Sequence, residues 1–137
     1  MTRPEPLDQE IFFDGRSLIS ETDTKGIITY VNRKFVEMSG YSKEEAIGQP
    51  HNILRHPDMP KAAFEQIWKV IQGGKIWEGY VKNLRKDGKF YWVIVNIVPK
   101  FDENEKIVGY IASRKVPQRH DIKSIELEYK EMLATEK

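Results

Sequence analysis

The chain has 137 residues, 22 basic and 21 acidic side chains and a net charge of +1 at pH 7, a length that suits one domain with a core able to fold alone. Balanced charge argues against a field that would draw it to nucleic acid or anionic lipid. Cysteine is absent, which excludes disulfides, cysteine-based zinc sites, iron–sulfur clusters and thiol nucleophiles together.

The opening "MTRPEPLDQEIFF" has no apolar run long enough for a signal peptide or a membrane span, and no later stretch has one. The expectation is a soluble cytoplasmic domain, peripheral to a membrane only through a bound partner. Residues 1–16 form a lead-in and cap, with Leu7, Ile11 and Phe12 spaced for a short helix. "SLISET", "DTKG" and "IITYV" read as strand, turn and strand. Asn32 stands at the start of a short helix that Gly40 ends, and Ser42 to Glu45 matches a capping box before a second helix stopped by Gly48.

"HNILRHPDMP", His51 to Pro60, holds two of the three histidines, an arginine and an aspartate directly before a helix. It can be a turn that starts the helix, with Asp58 as N-cap. It can be a metal or haem site using His51 or His56, although a five-residue spacing without cysteine is a weak metal signature. Or it can grip a ligand. Next, Phe64, Ile67, Trp68 and Ile71 make one apolar stripe ending at Gly73-Gly74.

"KIWEGYVKNLR", the turn at Asp87-Gly88 and "KFYWVIVNIVP" predict a hairpin, followed by the turn "FDENEK" and the strand "IVGYIASRKV". Alternation puts Trp77, Gly79, Val81 and Asn83 on one face, and Tyr91, Val93, Val95 and Ile97 on a face of the next strand. Trp92 lies opposite with Ile94, Asn96 and Val98, a face too apolar for open solvent, which the N-terminal cap, the C-terminal helix or a partner is expected to cover. From His120 a helix carries Ile122, Ile125, Tyr129 and Met132, too short for a coiled coil alone but able to dock. The order predicts an α+β arrangement: a five-stranded antiparallel sheet with short helices on one face, an N-terminal cap and a C-terminal helix over 118–137.

That order is similar to the PAS domain, a sensory fold enclosing a ligand cavity. "GYSKEEAIGQPHNILRHPDMPKAAF", "WEGYVKNLRKDGKFYWV" and "NIVP" resemble the flavin-binding PAS domain of bacterial aerotaxis receptors, over about residues 17 to 115. "RHPDMPKAAF" and the lysine–asparagine run into "YWV" are specific strings; "SGYS" is common to PAS domains generally. The resemblance implies a sensory domain over 17–117 holding FAD without a covalent bond, no catalytic turnover, and a redox signal passed to the chemotaxis machinery. Its FAD-binding arginine, histidine and aspartate fall on Arg55, His56 and Asp58, and its strand tryptophan on Trp77. His51 and Asn52, in the same turn, complete the expected cofactor-binding set with Asn83.

A flavin diphosphate calls for an arginine or a helix N-terminus, roles open to Arg55 and the helix after it. An aspartate repels phosphate, so Asp58 acts as a cap, or holds Arg55, His56 or the backbone in place. Asn83 beside a tryptophan and a valine needs a polar partner if buried. Its amide donates and accepts, so it suits a ring edge whose protonation changes on reduction. By alignment with the light-, oxygen- or voltage-sensing flavin photoreceptors, their adduct-forming cysteine falls at His51 and their final-strand glutamine at Ile111. Without a thiol, covalent photochemistry is excluded. The expected partner is a chemotaxis receptor or methyl-accepting signalling protein, in cis in a longer chain or in trans, with homodimerisation left open. The alternatives are a cofactor-free PAS dimerisation module and a haem-binding PAS sensor. Nucleic-acid binding through Lys82, Arg85, Lys86 and Lys89 is the weaker reading of a solvated hairpin face.

Overall fold

A computed structural model describes residues 3–15 and 17–136. Its strands β1 (Leu18–Thr22), β2 (Ile28–Val31), β3 (Trp77–Leu84), β4 (Phe90–Phe101) and β5 (Ile107–Lys115) form one antiparallel sheet in the order β2-β1-β5-β4-β3. Between β2 and β3 the chain makes α1 (Arg33–Ser39), α2 (Lys43–Ala46), a 3-10 turn (His51–Leu54) and α3 (Lys61–Gln72), and α4 (Arg119–Thr135) closes it. This is the expected fold class. The hairpin register pairs Trp77 with Ile97, Gly79 with Val95, Val81 with Val93 and Asn83 with Tyr91, so the two alternating sets share one face of the sheet.

The first helices start as the sequence predicts. The Asn32 side chain accepts from the Phe35 N–H and also from Ile19 on β1, which fixes α1 to the sheet edge. Ser42 and Glu45 form a reciprocal capping box on α2. The residue expected to cap α3 does not do so. Pro60 is the N-cap, with no side-chain bond, and the Asp58 carboxylate turns instead to Lys82 Nζ at 2.8 Å. The Lys61 and Ala62 amides of α3 donate to the carboxylate of Glu136, just beyond α4. Helix α4 therefore reaches across to α3 at its far end.

The N-terminal segment is not the short helix expected from Leu7, Ile11 and Phe12. It runs extended along the β3–β4 turn, with the Leu7 and Ile11 amides donating to the Gly88 and Phe90 carbonyls and Phe90 N–H returning to Gln9. A helix of under two turns gains few bonds for a costly nucleus, and the strand start at Phe90 offers ready partners. Phe13 is buried, while Phe12 stays 66% exposed under the Arg119 guanidinium.

The two sheet faces differ. Trp92 stacks on Tyr129 of α4, ring centroids 6.4 Å apart and planes 11° from parallel. Tyr80 hydroxyl donates to Asp121, and Tyr129 hydroxyl to the Tyr80 carbonyl. At Trp92 and Tyr80 the outer face is thus covered by the chain's own α4, while Ile94, Asn96 and Val98 stay partly exposed. Among the described residues no helix is long and apolar enough to cross a membrane.

Candidate functional site: a cavity with a buried guanidinium

The other face of the sheet, the 3-10 turn and α3 enclose a cavity of about 280 Å³. Its walls are mostly apolar: Leu54, Ile67, Val81, Val95, Ile97 and Ala112. Trp68 guards the rim, edge-on to Tyr110 at 5.7 Å. It sits so close to Gly26 that a Cβ there would lie 2.9 Å from the indole, and Gly26 also has φ +84. A glycine is required twice over, by the turn and by the ring against it.

At the closed end lies Arg114, 2% exposed. The period of two on β5 points Tyr110, Ala112 and Arg114 inward. One guanidinium nitrogen, Nη2, meets Ser20 Oγ at 3.1 Å and His51 Nε2 at 2.8 Å. Nη1 reaches the Leu18 and Ala112 carbonyls only at 3.5 Å, and Nε has no partner. No carboxylate pairs with it among the described residues. Burial lowers its pKa to about 10, so it keeps its charge at neutral pH. An uncompensated buried charge is costly.

His51 answers to that charge. Its ring opens onto the cavity but lies deep in the fold, and burial, then the Arg114 charge, push its pKa down to about 3. A neutral imidazole can offer Nε2 as acceptor to Arg114. Two further polar groups lie nearby. The Tyr91 hydroxyl is buried beside Asn83, and burial raises its pKa, against the Arg114 charge and a bond with the Asn83 side chain. Asn83, paired with Tyr91 in register, is buried on the cavity wall.

Of the residues singled out in the sequence, His51, Asn52, Arg55 and Asn83 line the cavity; His56, Asp58 and Trp77 do not. Arg55 stands at the mouth. Its Nη2 donates to the Met59 carbonyl at 3.0 Å, its guanidinium lies 5.1 Å from the Phe64 ring centroid, and its buried Nε is unpartnered. An isolated backbone bridge joins Arg55 to Asn83. His56 is buried edge-on to Phe90, with Nδ1 accepting from the Asp58 amide at 3.0 Å. Burial first, then Lys82, lower its pKa, against Asp58. His56, Asp58 and Lys82 therefore form a polar cluster behind the turn that sets its shape. Trp77 folds over Gly79, where an added Cβ would lie 2.6 Å from the indole, and packs against the apolar clusters beside the cavity.

The sequence reading missed Arg114, Ser20 and the Tyr91 hydroxyl. The only available signal was the alternation that aligns Arg114 with Ala112 and Tyr110, and an arginine near a strand end resembles an exposed cation. Ile111, the position aligned with the photoreceptors' glutamine, pairs with Glu21 and Val98 and does not line the cavity; Tyr110 and Ala112 do. On the hairpin, Lys82 pairs with Asp58, Arg85 with Asp87 and Lys86 with Glu45. Among the described residues no cluster of three His, Asp or Glu side chains could hold a metal ion.

The family model for the PAS fold matches residues 28–114. The chain is 46% identical over 121 residues to the aerotaxis receptor of Escherichia coli (strain K12), covering 88% of this chain and 24% of that receptor; it spans about a quarter of that relative's length. The PAS domain of a protein from Colwellia psychrerythraea superposes with a TM-score of 0.68 at 31% identity, over 75% of this chain and 87% of that one. The light-state structure of the blue-light photoreceptor Aureochrome1 LOV gives a TM-score of 0.72 at 22% identity, over 83% and 91% of the two chains, a likeness of fold alone.

Proposed function

The chain belongs to the PAS fold family, and from that premise we propose that it is a flavin-binding redox sensor, holding FAD and passing its redox state to a chemotaxis receptor or signalling partner. One observation carries the reading: Arg114 is a buried cation facing the cavity, with an unpartnered Nε and no carboxylate partner among the described residues. A site of this kind suits a ligand that is flat and apolar over most of its area and electron-rich along one edge. The donor set fits an isoalloxazine ring. Arg114 offers donors, Asn83 offers both a donor and an acceptor, and the aliphatic walls cover the ring faces. Bound there, the flavin supplies a reversible change in electron count and protonation.

The protein's own residues do the rest. Arg114 orients the polar edge and favours extra negative charge on it. His51, held neutral, keeps Arg114 in place without competing as a second cation. Asn83 can turn its amide, and its backbone link to Arg55 connects that turn to the cavity mouth. Helix α4, packed on the opposite face of β3 and β4, is the element through which a change in the sheet leaves the domain. The similarity to the aerotaxis receptor supports the receptor-like output, and FAD as the particular flavin is what the resemblance of the sequence strings to that family implies.

An absorption spectrum of the purified protein, with chromatography of what heat releases, tests the cofactor. Paired flavin bands and an FAD peak are expected. A sharp Soret band would replace this reading with haem, and a colourless protein that takes up no added flavin would leave the interaction module. Asn83→Ala should keep the flavin yet uncouple its reduction from any change in α4; an unchanged structural response removes Asn83 as the switch.

A further inference from the structure

Lys82 and Asn83 are neighbours on β3 and hold the same turn from opposite faces of the sheet. Asn83 lines the cavity, and its backbone bridges to Arg55. Lys82, by the period of two, points the other way. It is only 8% exposed, its Nζ lying 4.3 Å from the Phe90 ring centroid and 6.0 Å from that of Trp92, the ring under Tyr129. Its amide donates to the buried Met59 sulfur at 3.4 Å, and its ammonium to the Asp58 carboxylate at 2.8 Å. The Met59 carbonyl in turn accepts from Arg55 Nη2. A charge held this far from water costs more than an apolar side chain of the same length.

The carboxylate that Lys82 takes has two other uses within reach. Helix α3 goes without a side-chain cap, a bond that contributes about 1 kcal/mol where it is made. Asp58 also lies three residues from Arg55, across the turn that the Met59 amide closes on the His56 carbonyl. Arg55 nevertheless has no ion pair among the described residues, and its charge is left at the cavity mouth beside the Phe64 ring. Burial pushes the Asp58 carboxyl up, but the bond and charge of Lys82, with His56 and Lys130, hold it below the usual range.

We propose that Lys82 is a positioning residue for the cavity, drawing the Asp58 carboxylate behind the turn so that Arg55 stays unpaired at the mouth; the proposal rests on the flavin reading above. Without the ammonium, the carboxylate is free to turn to Arg55 and cancel its charge. The harm then comes from the anion left behind and not from the cation removed. The signature is a loss of affinity at undiminished stability, reversed when the carboxylate is removed as well.

The experiment titrates FAD into the flavin-free wild type, Lys82→Met and Lys82→Met/Asp58→Asn, and follows urea unfolding of each without flavin. Lys82→Met should lose roughly tenfold in FAD affinity, the scale of one charge-assisted contact. Its unfolding midpoint should be no lower than that of the wild type, because methionine fills the site without a desolvated charge and Asp58 is already largely in water. Adding Asp58→Asn should restore the affinity to within about twofold of the wild type. A midpoint that falls together with the affinity in Lys82→Met would show that Lys82 only stabilises the fold. A double variant that binds no better than Lys82→Met would show that Asp58 itself serves the ligand. Either result, or an unchanged affinity in Lys82→Met, overturns the proposal and leaves the cavity reading intact. Failure of FAD to bind the wild type overturns both.

Discussion

The two faces of one sheet treat their polar groups in opposite ways. On the outer face, each hydroxyl that reaches inward finds a partner in the chain: Tyr80 with Asp121, Tyr129 with the Tyr80 carbonyl, and Trp92 has an aromatic lid. On the cavity face, the Nε atoms of Arg55 and Arg114 are buried without partners, and the Arg114 guanidinium has no counter-charge among the described residues. The outer face is a finished interface, optimised for stability. The cavity face leaves polar groups unsatisfied at a cost in stability, and these are the groups that the proposed ligand would meet.

The contrast breaks most sharply at Tyr129. Tyr129→Ala removes the stack on Trp92, a buried ring and the bond to the Tyr80 carbonyl, and should cost about 3 kcal/mol in urea unfolding. Its cavity should still bind ligand. Loss of both stability and binding would mean that the faces are not independent. Arg114→Met makes the opposite change. Ser20 and His51 can still bond to one another at 3.0 Å, and removing a lone buried charge should stabilise the ligand-free domain by on the order of 2 kcal/mol. Flavin uptake should fall in the same variant. A destabilised Arg114→Met protein would show that the guanidinium is structural.

His51 sharpens the comparison through pH. In the unfolded chain its imidazole takes a proton near pH 6.5, in the folded one only near 3. Between those values the unfolded state binds the extra proton, so stability falls as pH drops, by about 1.4 kcal/mol per pH unit for one proton. His56, also lowered, adds in the same direction. His51→Gln should flatten the urea midpoint between pH 6 and 5 by about one proton's worth; an unchanged slope would mean that His51 protonates without unfolding, beside Arg114.

Element order, the hairpin across Asp87-Gly88, the capping box at Ser42 and the alternation that groups Val81 with Asn83, and Val93 with Val95, were legible in the sequence. Each rests on a period of two or 3.6 residues or on a local turn and cap, and such signals span only a few residues. The importance of the His51–Pro60 stretch was legible too, but its division of labour was not. Whether Arg55 faces the mouth while His56 and Asp58 turn behind it depends on Lys82 and Phe90, which are more than 20 residues away in the chain. The N-terminal segment gave up its expected helix because its amides found β4, and α3 is capped by Glu136 from the far end of the chain. Arg114 is the clearest case. Period two places it on the inner face, but nothing local says that this face is closed by α3 and the 3-10 turn. The sequence by itself therefore determined the strands, helices and which side chains share a face, because those follow from backbone geometry. Only the tertiary structure decided which polar groups were satisfied and which were left waiting, because burial and hydrogen-bond partners are properties of distant segments brought together.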